Sequence, residues 1–408
     1  MKEPPVYPLF PDLIRAVFSL ADTAPNGSVS TQPGFPWAET PRADPRLSAA
    51  LGDTPRKTVF VLVDGMGESI LERLEPDSFL RRNRRATVSS VYPSTTACAM
   101  TAVATGLPPA IHGLLGRTSY IAERDLHANT LSFRTKNENV PLVSGEEKTV
   151  HGAPLSPDRF WPFPSLIPSL RIPAFTVIPR ILLGSPFARY LCGLTPTAGY
   201  PSIAEAVDHL IAEERKLTDR GYLFFYLWDL DTRCHEVGPG HASSLALLTQ
   251  IDGELARLRL CLDRETRLVI TADHGQYDVA DTDRQVLTPN HPAAELLATP
   301  PFGEPRAAQL LVKPGREELF SARFTEEFGE FFDLVPAASQ EAARLFGAAS
   351  FSPQAERNLG TFLCAARGRN LLLWADPPGS SPETRKAPHA GEHGGNLPEE
   401  RLVPLVVA

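Results

Sequence analysis

Apolar residues follow two spacings along this chain. Leu9, Phe10, Leu13, Ile14, Val17 and Phe18 recur at helical intervals, which predicts a short amphipathic helix over residues 9–20 docked on the main body. From residue 58 the apolar residues run together. TVFVLVDG (58–65) reads as a strand covered on both faces and closed by an acidic residue and a glycine. Comparable runs stand at 173–178, 222–228, 267–271, 309–313 and 371–375. Between them, Ser69 to Leu74 starts a helix, and Ala97 to Thr105 is a helix of small residues ended by Gly106. Leu245, Leu247, Leu248, Ile251, Leu255 and Leu258 give a helix over about 244–260 one apolar face. This alternation predicts a layered α/β fold with a mainly parallel sheet.

Residues 22–56 are rich in Pro, Gly, Ser and Thr and read as a loop, so residues 1–57 are expected to be a helix and a wrap outside the body. Residues 58–408 are expected to form one domain. Its segments 113–170 and 276–390, rich in Pro, Gly and charge, read as excursions that form a lid or cap.

Composition narrows the function. The 408 residues suffice for one large α/β domain with insertions, and 40 prolines imply many loops. Acidic residues outnumber basic ones by 48 to 40, a net charge of -8 that argues against a broad nucleic-acid surface. The basic run RRNRR (81–85) reads as a solvated loop or helix end. The five cysteines are scattered without a CxxC pair, which suggests neither a disulfide framework nor a thiolate zinc site. Asp12 and Arg15 interrupt the N-terminal apolar patch, and no run of 18 uncharged apolar residues occurs. The expectation is a cytoplasmic protein without a membrane partner, and the oligomeric state stays open.

Candidate chemistry lies at strand and loop ends, where ligands bind in open α/β sheets. Asp64 closes the first strand and Thr96 opens the small-residue helix. DLDTRCHEVGPGH (229–241) holds Asp229, Asp231, His235 and His241; TADHGQYD (271–278) holds Asp273 and His274; HAGEHGG (389–395) holds His389 and His393. Asp and His offer oxygen and nitrogen donors suited to Zn²⁺, Mn²⁺ or Fe. Each also has a plainer reading: a helix cap for Asp64, a turn for DHG, an ordinary polar pair for DxxxH, and a helix N-terminal hydroxyl for Thr96. The set carries more weight than its members.

In order and spacing, these motifs resemble the type I phosphodiesterase and nucleotide pyrophosphatase family of the alkaline phosphatase superfamily. The resemblance runs from VLVDGMG (61–67) through YPSTTACAMTAVATGLPPAIHG (92–113), DLDTRCHEVGP (229–239) and TADHG (271–275) to GEHGG (391–395). It covers about 58–406 and implies a three-layer α/β/α sandwich with cap segments inserted in it. It also implies two divalent metal ions, usually zinc, with manganese compatible. One ion would be held by Asp64, Thr96, Asp273 and His274, the other by Asp231, His235 and His393. Thr96 would be the nucleophile, since the family's threonine lies ten residues before a glycine that matches Gly106. His393 is preferred to His389 because the family's histidine is followed by glycine.

The implied activity is hydrolysis of phosphodiester or nucleotide pyrophosphate bonds through a phospho-threonine, with a small phosphate ester or nucleotide as substrate. One position departs from the family. Where its pyrophosphatases place an asparagine after the HG motif to bond the phosphoryl oxygen, this chain has Arg117, a charged and forked donor. Arg117 is therefore read as a substrate contact, suited to a more highly charged group, with a solvent-facing side chain as the plain reading. YPSTTACAM lacks the C/S-x-P-x-R setting of sulfatases, and Thr96 fits poorly with the serine-dependent phosphoglycerate mutases. A phosphate monoesterase or phosphonate hydrolase of the same fold is the first alternative. A non-catalytic, metal-stabilised binding protein is the second.

Overall fold

The computed structural model describes residues 7–22, 44–136, 142, 155–374 and 388–408. A seven-stranded sheet forms the centre, in the order Arg84–Ser89, Leu402–Val407, Thr266–Thr271, Lys57–Val63, Gly221–Leu227, Ala174–Pro179, Thr197–Tyr200. Lys57–Val63 runs parallel to both neighbours, with Val59 opposite Leu223 on one side and Leu268 on the other. Leu402–Val407 alone runs antiparallel to its neighbours. Every residue of Lys57–Val63 and Gly221–Leu227 is buried, as their unbroken apolar runs require. Helices flank the sheet. Phe10–Asp22 packs on Thr96–Thr105, and Ile203–Lys216 packs on Ala242–Cys261. Small residues let Thr96–Thr105 bury all but its first position. The chain thus has the expected α/β/α arrangement.

Two strand assignments change. The 309–313 run was expected to lie in the parallel sheet. It falls instead in the strand Ala307–Leu310 of a second seven-stranded sheet. That sheet runs Phe332–Pro336, Phe362–Ala366, Ala307–Leu310, Phe302–Glu304, Thr118–Ile121, Leu126–Asn129, Arg134–Thr135, and all its pairings are antiparallel. Among the described residues, the 371–375 run pairs only with Arg284–Leu287, as Leu371–Trp374. A short apolar run shows that a strand is buried but not which partner covers it. The second sheet joins strands from both expected excursions and packs on its own apolar cluster around Phe320, Phe324, Phe328 and Phe332.

The expected wrap also changes. Its residues 23–43 lie outside the described residues, as do 137–141, 143–154 and 375–387 of the excursions. Pro45–Leu51 is a helix, capped by Asp44, whose side chain accepts from the backbone N–H of Arg46, and anchored by buried Leu47 and Leu51.

A buried ion pair ties the second sheet to the C-terminal segment. The Arg306 guanidinium donates to Glu400 Oε1 at 2.7 Å and Oε2 at 3.0 Å, to the Tyr277 hydroxyl, and to the carbonyls of Asn370 and Gly368. Glu400 also accepts from the backbone N–H groups of Gly395 and Leu397, and so shapes the turn after His393. Replacing Arg306 by methionine leaves a buried carboxylate without its cation. Denaturant unfolding is expected to show a loss of about 3–5 kcal/mol. Pairing the change with Glu400→Leu should restore part of it.

Candidate active site

Five chain segments end at the carboxyl rim of the central sheet. Asp64 follows Lys57–Val63, and its backbone N–H donates to Leu227 O at 2.8 Å, which aligns the two strand ends. Gly65 turns the chain there at φ +76°; a Cβ on it would lie 3.1 Å from the Asp231 Cα. Thr96 is the first residue of Thr96–Thr105, with Thr95 as N-cap. Asp273 and His274 follow Thr266–Thr271. Asp231 and His235 lie one turn apart on the helix Asp229–Val237, and His393 follows the short strand Gly391–Glu392.

These segments bring all seven expected donors together. Thr96 Oγ1 lies 3.1 Å from His274 Nε2 and 3.5 Å from Asp64 Oδ2. His274 Nε2 lies 3.5 Å from Asp64 Oδ1 and 3.3 Å from Asp273 Oδ2. Beside this group, His235 Nε2 lies 3.5 Å from Asp231 Oδ2 and 3.2 Å from His393 Nε2, and His393 Nε2 is 3.8 Å from Asp231 Oδ1. The His274 and His393 rings stack with centroids 3.8 Å apart, so the two groups adjoin.

Backbone carbonyls set the histidine tautomers. Nδ1 of His235 donates to Gly391 O, Nδ1 of His393 to Ser94 O, and Nδ1 of His274 to Gly275 O. Each Nε2 then faces the cluster. The His235 and His393 Nε2 atoms, 3.2 Å apart, stand side by side as nitrogen donors.

The carboxylates make the same demand. Burial, then the charges of Asp273 and Asp231, pushes the Asp64 carboxyl well above its usual range, and burial raises Asp273. Burial, then the neighbouring His274 and His235, holds His393 well below the ordinary imidazole value. Asp64 Oδ1 and Asp273 Oδ2 are buried without a hydrogen-bond donor. Orphaned carboxylate oxygens clustered with imidazole nitrogens fit divalent metal ions of the zinc or manganese kind.

Some supporting residues escaped the sequence. The Tyr226 hydroxyl donates to Asp64 Oδ2, and the Gln276 amide donates to Asp231 Oδ1 and to Asp231 O. Gln276 stands inside the TADHGQYD motif, so its place in the sequence was visible although its partner was not. His389 packs on His235 with ring centroids 4.3 Å apart and donates from Nδ1 to Glu392 Oε1 at 2.9 Å. His235, His389 and Glu392 also bring their donor atoms within 4.8 Å of one another, a group that shares His235 with the main cluster.

Other polar side chains have structural duties. Asp229 sits on the helix and accepts from the Tyr200 hydroxyl at 3.0 Å. His241 caps the helix Ala242–Cys261, and Asp278 accepts from Gly240 N–H. His291 pairs with Glu327, and the buried Cys98 thiol lies 3.1 Å from Leu114 O.

A cavity of about 700 Å³ opens over the cluster. Asp64, Thr96, Asp231, His235 and His393 line it on the polar side; Leu131, Ile178, Leu182, Phe187 and Leu191 form an apolar wall. Arg117 is exposed and lines the same cavity. Its backbone N–H donates to the buried Glu304 at 2.5 Å. Glu304, another residue the sequence did not single out, is raised by burial, while the Arg117 charge and a hydrogen bond from the Thr95 side chain pull it back.

An α/β/α sheet with clustered Asp and His donors and a threonine opening a helix at its carboxyl rim defines the alkaline phosphatase class of hydrolases. The family model for type I phosphodiesterase / nucleotide pyrophosphatase matches residues 58–316, and the chain belongs to that family. Murine ectonucleotide pyrophosphatase / phosphodiesterase 5 has a similar structure, with TM-score 0.63, 16% identity, and coverage of 86% of this chain and 87% of that one. An inactive Thr-to-Ala variant of that mouse protein, in complex with AMP, aligns at TM-score 0.62 and 16% identity over 86% and 87% of the two chains. Phosphonoacetate hydrolase from Sinorhizobium meliloti 1021, in complex with phosphonoformate, aligns at TM-score 0.57 and 19% identity over 86% and 90%. At these identities the likeness is one of fold. No curated protein sequence matches the chain. No helix among the described residues is long and apolar enough to cross a membrane.

Proposed function

We propose that this chain is a two-metal phosphohydrolase that cleaves a phosphodiester or nucleotide pyrophosphate bond by way of a phospho-threonine on Thr96. The observation that carries the reading is the position of Thr96 Oγ1, 3.1 Å from His274 Nε2 at the start of a buried helix. Asp64, Thr96, Asp273 and His274 would hold one ion, and Asp231, His235 and His393 the other, with zinc first and manganese compatible. Bound there, two divalent ions supply a cationic clamp for the attacking and leaving oxygens and favour the ionised hydroxyl.

The chain's own residues do the rest. The Thr96 hydroxyl gives up its proton to solvent, its oxygen attacks phosphorus, and the bond from phosphorus to the leaving oxygen breaks. That oxygen departs with a proton from solvent, and water then hydrolyses the phospho-threonine and regenerates the hydroxyl. The helix N-terminus places unpaired N–H groups and a positive dipole end toward the phosphoryl oxygens. Tyr226 and Gln276 hold Asp64 and Asp231 in orientation. The apolar wall suits an organic leaving group. The complete donor set argues against a binding protein that has lost turnover.

A second reading, a phosphate monoester or phosphonate substrate, is favoured by Arg117 and Arg134, which both line the cavity. One assay separates the two. The Zn²⁺- or Mn²⁺-loaded protein is expected to cleave bis-p-nitrophenyl phosphate faster than p-nitrophenyl phosphate; the reverse order would move the assignment to a phosphatase. Arg117→Ala is expected to lower kcat/KM by about 10–100-fold, the worth of one charged hydrogen bond. Unchanged kinetics on both esters would remove Arg117 from the site.

A further inference from the structure

We propose that Glu304 sets the charge preference of the phosphoryl site: its buried carboxylate, beside Arg117, disfavours a phosphoryl group with two negative charges relative to one with a single charge. This rests on the phosphohydrolase reading above and specifies its substrate class as esters with a singly charged phosphoryl group.

Glu304 ends the second-sheet strand Phe302–Glu304 and is 5% exposed. It is where three site-forming segments meet. Its Oε1 accepts the Arg117 N–H at 2.5 Å, and the Thr95 side chain, next to Thr96, hydrogen-bonds to it. Gly394, next to His393, lies so close that an added Cβ would sit 3.3 Å from the Glu304 Cβ. Glu304 lines the same cavity as Thr96, Arg117 and His393.

Holding these segments requires only an acceptor, which a glutamine also supplies. What the carboxylate adds is a negative charge in the wall of a site for an anion. The cavity's other titratable groups include Arg117, Arg134, Glu392 and His393, and the Arg117 charge acts on both Glu304 and Glu392. Two carboxylates beside Arg117 thus offset arginine charge that would otherwise favour a second phosphoryl charge. Like charges in a partly dry site repel strongly enough to set preference between otherwise similar ligands. Arg117, which in isolation suggests a reader of extra charge, is thereby offset by its neighbour.

The test measures kcat/KM for bis-p-nitrophenyl phosphate and p-nitrophenyl phosphate with metal-loaded full-length protein at mildly alkaline pH. Glu304→Gln is expected to raise the monoester-to-diester ratio about tenfold, the equivalent of roughly 1.4 kcal/mol. Glu304→Asp, which keeps the charge, should hold the ratio near wild type. A ratio unchanged in Glu304→Gln, with both rates falling together, would show a merely structural residue and overturn the proposal. If Glu304→Gln does not fold, Arg117→Gln removes the offsetting cation and must shift the ratio toward the diester; an unmoved ratio overturns the proposal equally. Calorimetry with inorganic phosphate and dimethyl phosphate gives a readout independent of turnover: Glu304→Gln should tighten phosphate about tenfold and leave dimethyl phosphate unchanged. Equal effects on both ligands refute the charge role. A wild-type protein that cleaves neither ester would sink the phosphohydrolase reading, and the calorimetry would still decide the role of Glu304.

Discussion

Replacing Thr96 by alanine is expected to lower turnover of either nitrophenyl ester by roughly 10⁴-fold or more, because it removes the proposed attacking atom rather than a supporting contact. The Thr96 side chain is half-buried and, among the described residues, its hydroxyl bonds Asp64 and His274, so its removal leaves no buried donor stranded. The thermal midpoint should therefore stay close to wild type, and metal content should be largely retained. Thr96→Ser keeps the oxygen and should keep a measurable fraction of the activity. Rapid acid quenching with a ³²P-labelled ester should trap label on wild type and none on Thr96→Ala. Label on the alanine variant would place the nucleophile elsewhere, with Ser94 and Thr95 the nearest hydroxyls in sequence.

The second large effect concerns stability in the presence and absence of metal. Asp64 and Asp273 have raised carboxyl values in the folded chain, for which burial is the first cause. A raised carboxyl contributes stability that is complete below its unfolded value of 3.8 and is lost as pH rises through the folded value. The chelated protein should therefore lose stability from this pair between mildly acid and higher pH. Asp64→Asn removes that penalty and is expected to raise the thermal midpoint of the chelated protein by several degrees at neutral pH. With metal the order reverses. A metal at 100 times its Kd stabilises the wild type by about 2.7 kcal/mol per site, and Asp64→Asn should forfeit most of that gain at one site. Scanning calorimetry of both proteins, with chelator and with Zn²⁺, checks both halves. An asparagine variant that is less stable than wild type in chelator would show that Asp64 serves packing and not a cation.

How much of this was legible differs from element to element. The central strands at 58–65, 222–228 and 267–271 were readable because unbroken apolar runs of that length serve few other purposes. The helix Asp229–Val237 was not resolved in advance, since DLDTRCHEV has no strong apolar face, and only its folded form puts Asp231 and His235 on one side. The second sheet was missed as a sheet. Its strands are two to five residues long and come from segments more than 150 residues apart, such as Thr118–Ile121 and Phe302–Glu304. No local pattern encodes such a pairing.

The same division runs through the site. The sequence by itself determined which Asp, His and Thr candidates stand at strand ends and turns, because residue type and short spacing are local properties; its resemblance to a known family narrowed them to the seven proposed donors. Only the tertiary structure decided how they meet. The His393–His235 approach, the Tyr226 and Gln276 bonds to two carboxylates and the Arg306–Glu400 pair behind the last turn are contacts between distant residues. Glu304 is the plainest case. Within PFGEPR it reads as one more charged residue of a loop, and its burial against Thr95, Arg117 and Gly394 follows from the packing of two sheets that no stretch of sequence describes alone.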